Sequence, residues 1–119
     1  MTPTGARLIA IGAVVGATLR WGLLTSLPDP DPFPWATLVV NLVGCALLGW
    51  FSTRPLHDID RQRAVSVGFC GGLTTFSTFS VELALLRTDH PGAMWLYLLA
   101  SVVGGVLVFV AGRTASINP

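Results

Sequence analysis

Charged side chains are scarce in this chain: Asp, Glu, Lys and Arg make up 11% of its 119 residues, where a soluble domain carries about 25%. Lysine is missing, the seven basic residues are arginines scattered along the sequence, and the formal net charge is +1. Without a basic stripe to neutralise phosphates, nucleic acid is excluded as a partner. Cysteine occurs only at Cys45 and Cys70, both inside apolar runs, which rules out a secreted disulfide scaffold or a zinc-finger array. The two thiols read as small buried hydrophobes or, alternatively, as a disulfide or metal pair. No nucleophile with a paired base, no metal-ligand spacing and no phosphate-binding loop is present, so the chain does not read as an enzyme.

Apolar residues, by contrast, make up 52% of the chain, and the mean hydropathy is +0.69. They fall into four runs, about residues 4–24, 35–51, 64–86 and 93–110, each close to the roughly 20 residues that cross a hydrocarbon core of about 30 Å. The expected fold is therefore all-α, a single transmembrane domain of four spans over residues 1–119 with no soluble domain. A cleaved signal peptide is not expected, because Arg7 is the one charge ahead of an apolar run that continues past any cleavage site. Prolines at 28, 30, 32 and 34 forbid a helix between the first two spans. The segment 54–63 holds Arg54, His57, Asp58, Asp60, Arg61 and Arg63 and reads as a solvated connector. With four spans both termini lie on one side, together with Arg7, Arg54, Arg61, Arg63 and Arg113, against Arg20 and Arg87 on the other. That bias favours cytoplasmic termini, while so few charges leave mixed insertion open.

The third run is a poor continuous helix. Gly71 and Gly72 are adjacent, and Thr74, Thr75, Ser77, Thr78 and Ser80 follow closely; glycine weakens a helix and hydroxyls compete for its backbone bonds, which predicts a break near Gly71 and Gly72. Irregular backbone at membrane depth is tolerated only when buried in protein or lining a cavity. Freed carbonyls there suit a hard cation such as sodium, and freed amides and hydroxyls suit an anion; a glycine kink made for close packing is the alternative.

Other polar residues add to the pattern. Phe76 and Phe79 share a helical face beside Ser77 and Thr78, so ring edges and hydroxyls could meet a dehydrated anion, or the rings could simply pack. Asn41 sits mid-span, one turn from Thr37, and offers amide donors to an anion or to a neighbouring helix. Tyr97, Ser101 and Gly105 form an uncharged stripe on the fourth span. Gly12, Gly16 and Arg20 are spaced by four, a smooth face leading to a cation that attracts anions or snorkels to headgroups. Glu82, the one acidic residue within a span, needs a partner or water.

The run Gly68 to Phe79, together with Gly12-x-x-x-Gly16-x-x-x-Arg20 and Asn41-x-x-Gly44, closely resembles the bacterial fluoride channels called Fluc or CrcB, over essentially the whole chain. The resemblance implies a homodimer of subunits in opposite orientations in the bacterial plasma membrane. Two fluoride pores would run along the subunit interface and let cytoplasmic fluoride leave passively, lowering its toxicity. It implies a structural, untransported sodium ion on the twofold axis, held by backbone carbonyls of Gly71 and Thr74. By the same carry-over the fluoride pathway comprises Asn41, Phe76, Phe79, Ser77, Thr78, Thr37, Tyr97 and Ser101, with Arg20 and Glu82 at the vestibules. Two readings compete with it: a small proton-coupled cation exporter, for which Glu82 is the only candidate carboxylate, and a non-transporting assembly subunit whose glycines and polar residues serve packing alone.

Overall fold

The computed structural model describes residues 1–28, 31–54 and 56–118. Asp29 and Pro30 of the expected proline-rich loop, Pro55 of the connector, and Pro119 lie outside the described residues. Helices are the only regular elements among those described. Helix α1 spans Pro3–Ser26 and α2 spans Trp35–Ser52. A third, composite segment runs through α3 (Ile59–Arg63), a π-helical stretch (Ala64–Cys70), α4 (Gly71–Leu73) and α5 (Phe76–Asp89), and α6 covers Pro91–Ile117. Four stretches, Pro3–Ser26, Trp35–Ser52, Ile59–Asp89 and Pro91–Ile117, are long and apolar enough to cross a membrane, and the chain is a multi-pass membrane protein.

Local chemistry sets the helix ends. Thr2 caps α1 by accepting from the Gly5 N–H at 3.0 Å, and its own hydroxyl donates to Asp60 at 2.8 Å, which ties the start of α1 to α3. Pro3 and Pro91 occupy first-turn positions of α1 and α6, where their missing N–H is no loss. The charged connector contributes a helical turn of its own, because the Asp58 carboxylate caps α3 through the Asp60 N–H at 3.0 Å.

Close packing between spans depends on glycine. α1 lies along α3, the π-helical stretch and α4, whereas α2 and α5 each lie against α6. A methyl added at Gly12 would strike the Ala64 carbonyl, one at Gly16 the Phe69 carbonyl, and one at Gly72 the Ala13 carbonyl. The same holds between α2 and α6, where Gly49 abuts the Phe109 carbonyl and Gly112 that of Ala46. Backbones this close exclude any Cβ, the means by which transmembrane helices gain contact without a hydrophobic drive.

The sequence predicts a break near Gly71 and Gly72; the two glycines themselves are helical. Extended backbone falls instead on Thr74 (φ −79°, ψ 157°) and Thr75 (φ −140°, ψ 122°), between α4 and α5. Gly72 serves the contact with Ala13, and the chain leaves the helix where side chains can take over its backbone bonds.

Candidate functional site

The Thr74–Thr75 step releases backbone groups that a continuous helix would pair i to i−4. The Thr75 N–H, whose helical partner would be the Gly71 carbonyl, donates to Asn41 Oδ1 at 2.8 Å, while Asn41 Nδ2 donates back to the Thr75 carbonyl at 3.0 Å. The Thr78 N–H, whose partner would be the Thr74 carbonyl, donates to Thr75 Oγ1 at 3.2 Å, which caps α5. Arg20 Nη1 donates to the Thr74 carbonyl at 2.9 Å. The Gly71 carbonyl accepts a long approach from Thr74 Oγ1, at 3.4 Å. Side chains from α1 and α2 thus replace the bonds that the third span gives up, as buried backbone requires.

Beside this step lies a largely apolar groove of about 500 Å³, lined among others by Asn41, Gly71, Thr74, Phe76, Phe79 and Ser101. Its polar atoms are few and uncharged. The Thr75 carbonyl takes one of the two N–H bonds of the Asn41 amide, and Ser101 Oγ is buried without a partner among the described residues. Cys45 and Cys70 also line the groove, and both thiols are free. Helical spacing predicts a shared face for Phe76 and Phe79, and the rings do meet, with centroids 6.0 Å apart and planes at 45°. Their surroundings differ: Phe79 is 8% exposed and Phe76 79%.

Phe79 separates the groove from a second polar cluster. Its ring lies 5.1 Å from that of Tyr97, which in turn meets Phe33 edge-on at 5.5 Å. Tyr97 and Thr37 are the deepest polar side chains, 0% and 1% exposed. Both point their hydroxyls at Glu82: Thr37 Oγ1 donates to Oε1 at 2.8 Å and the Tyr97 hydroxyl to Oε2 at 2.7 Å. Each carboxylate oxygen therefore has a donor, the condition for keeping such a group within a span. Glu82 also borders a smaller hollow of about 260 Å³ with Pro32, Pro34, Asp89 and His90, next to the proline-rich segment.

The structure brings Asn41, Gly71, Thr74, Phe76, Phe79 and Ser101 to one groove and gathers Thr37, Tyr97 and Glu82 behind Phe79. Arg20 reaches the step from α1 and is not part of the groove wall. Ser77 is exposed, with its Oγ 3.3 Å from Thr75 Oγ1, and Thr78 is half-buried on the next position of α5. Sequence reasoning missed Thr75, which is 6% exposed and joins the step, the cap and the Asn41 pair. The available signal was a hydroxyl residue immediately before an apolar helical stretch, the N-cap pattern.

The model of the family described as "CrcB-like protein, Camphor Resistance (CrcB)" matches residues 7–113. Among curated relatives, the "Fluoride-specific ion channel FluC" of Cupriavidus pinatubonensis is 44% identical over 117 residues, covering 93% of this chain and 92% of the relative. The protein of the same name from Chlorobium phaeobacteroides is 40% identical over 111 residues, covering 88% and 87%. "Fluoride-specific ion channel FluC 1" of Mycolicibacterium paratuberculosis is 41% identical over 102 residues, covering 81% and 77%.

Proposed function

The chain belongs to the CrcB family, and on that premise we propose that it is a fluoride-selective ion channel of the bacterial plasma membrane, not an enzyme, through which cytoplasmic fluoride leaves passively. The observation that carries this reading is the opened backbone at Thr74–Thr75, clamped by Asn41 and bordered by a groove that offers an anion neutral donors and aromatic rings. Neutral donors matter because a full positive charge in a narrow pore binds an anion too tightly to release it.

The proposed assembly is an antiparallel homodimer in which a second copy closes the groove and covers Phe76, whose exposure suits a ring awaiting a partner. Fluoride enters a vestibule biased by Arg20 and exchanges water for the free N–H of Asn41 and the hydroxyls of Ser101, Ser77 and Thr78. It passes the ring edges of Phe76 and Phe79, whose quadrupoles are positive at the rim, and leaves along Thr37, Tyr97 and Glu82. Chloride is larger and fits a path of this width badly.

A sodium ion at the centre of the dimer belongs to the same reading, as a structural and untransported ion held by the Gly71 and Thr74 carbonyls. These residues fit it: in each case the N–H that a helix would supply goes elsewhere, and a carbonyl oxygen has two lone pairs, so the bond from Arg20 leaves one on Thr74. When bound, such a cation would neutralise carbonyl oxygens that have given up their helical donors.

The test is efflux from liposomes holding the purified protein, read with a fluoride electrode under a clamped potential, with chloride followed in parallel. Rapid fluoride loss without chloride loss is the expected result. Retention of both ions by a correctly assembled protein sinks the channel reading.

A further inference from the structure

Arg20 does more in this fold than lend charge to a vestibule. The α1 stripe climbs the third span in register: Gly12 abuts Ala64 and Phe69, Gly16 abuts Phe69 and Leu73, and one turn later Arg20 Nη1 meets the Thr74 carbonyl at 2.9 Å. The contact at Gly16 holds the α1 backbone against the residues just before the step, so the guanidinium arrives on a rigid support. It meets the carbonyl whose helical donor, the Thr78 N–H, has turned to Thr75 Oγ1.

We propose that Arg20 is the positioning residue of the Thr74–Thr75 step: its guanidinium replaces the lost helical donor and thereby fixes where α5, with Phe76 and Phe79 in its first turn, begins. A bond between a charged donor and a backbone carbonyl is stronger than the amide bond it replaces. Lysine keeps the charge but is a compact ammonium on a flexible stem without the planar fork, so it does not restore the same restraint. A purely vestibular charge makes the opposite forecast, since any cation there attracts anions and salt screens the effect.

The chain offers a direct probe, because Thr74–Thr75 is its one Thr–Thr peptide bond. Protein made with carbonyl-¹³C and ¹⁵N threonine carries that single doubly labelled linkage, and its resonance isolates the Thr74 carbonyl. In the wild-type protein, added guanidinium ¹⁵N label is expected to show a dipolar contact with this carbonyl; its absence overturns the proposal whether or not any variant folds. In Arg20→Gln the carbonyl resonance is expected to move upfield. Maximal fluoride flux should drop about tenfold or more in both Arg20→Gln and Arg20→Lys, the scale of one lost charge-assisted bond, with little change in the half-saturating fluoride concentration and no rescue by salt. An Arg20→Lys protein with full maximal flux, together with an unmoved resonance in Arg20→Gln, overturns it. The flux arm rests on the channel reading and the spectroscopic arm does not, so a wild-type protein that moves no fluoride would refute the former while the resonance still decides the role of Arg20.

Discussion

Asn41 holds Thr75 by both ends of its amide, donating to the carbonyl at 3.0 Å and accepting from the N–H at 2.8 Å. The pair reproduces across two spans what neighbouring strands do with backbone alone, and it commits one of the two amide protons of Asn41. A residue that would otherwise be a free donor in an apolar groove is thereby fixed in orientation, which leaves its remaining N–H aimed by the fold.

Asn41→Asp is expected to damage both roles. The carboxylate still accepts from the Thr75 N–H but sets a negative oxygen against the Thr75 carbonyl and against any anion in the groove. Fluoride efflux should fall more than about tenfold, and thermal stability should drop by about 1–3 kcal/mol, the cost of a buried acceptor left unpaired. Wild-type efflux from this variant removes Asn41 from the pathway.

Phe79→Ile should strongly reduce fluoride flux while the proposed dimer still assembles, as judged by cross-linking in membranes. The lost ring contact with Tyr97 costs about 0.5–1.5 kcal/mol beyond the change in buried area, too little to unfold the protein. Phe76→Ile is the control for packing within one chain, since a ring 79% exposed contributes little to it; the thermal midpoint of its monomeric form in detergent should match that of the wild-type monomer.

Thr37→Val and Tyr97→Phe each strip one donor from Glu82. Either change should cost about 1.5–3 kcal/mol, the usual worth of a hydrogen bond to a charged group. Because both donors serve one carboxylate, the double variant should depart from additivity by at least about 0.5 kcal/mol in denaturation measurements. Strict additivity would mean that the two hydroxyls do not share Glu82.

The adjacent glycines separate cleanly by substitution. An alanine methyl at Gly72 runs into the backbone of Ala13, whereas one at Gly71 meets nothing within 4 Å. Gly72→Ala should therefore lose folded protein on gel filtration, and Gly71→Ala should fold normally with its methyl in the groove. Equal yields of the two would contradict the packing of α1 on the third span.

Much of this was legible in the sequence because a bilayer imposes simple rules. Long apolar runs must be helices, charge must gather at their ends, and a glycine- and hydroxyl-rich stretch at membrane depth must be irregular or closely packed. Those rules located the spans, singled out the Gly68–Phe79 run and marked Glu82 as a group in need of partners. They could not say which residues leave the helix, since Gly72 and Thr75 are both plausible breakers locally. The choice depended on Ala13 approaching Gly72 and on Asn41 lying within reach of Thr75. Nor could they divide the polar residues into a groove containing Asn41 and Ser101 and a triad around Glu82, because that division is made by the Phe79 ring standing between helices far apart in the chain. Hydropathy and spacing act along the sequence and determine elements; the pairing of a released carbonyl with Arg20, 54 residues away, is settled only when the helices pack.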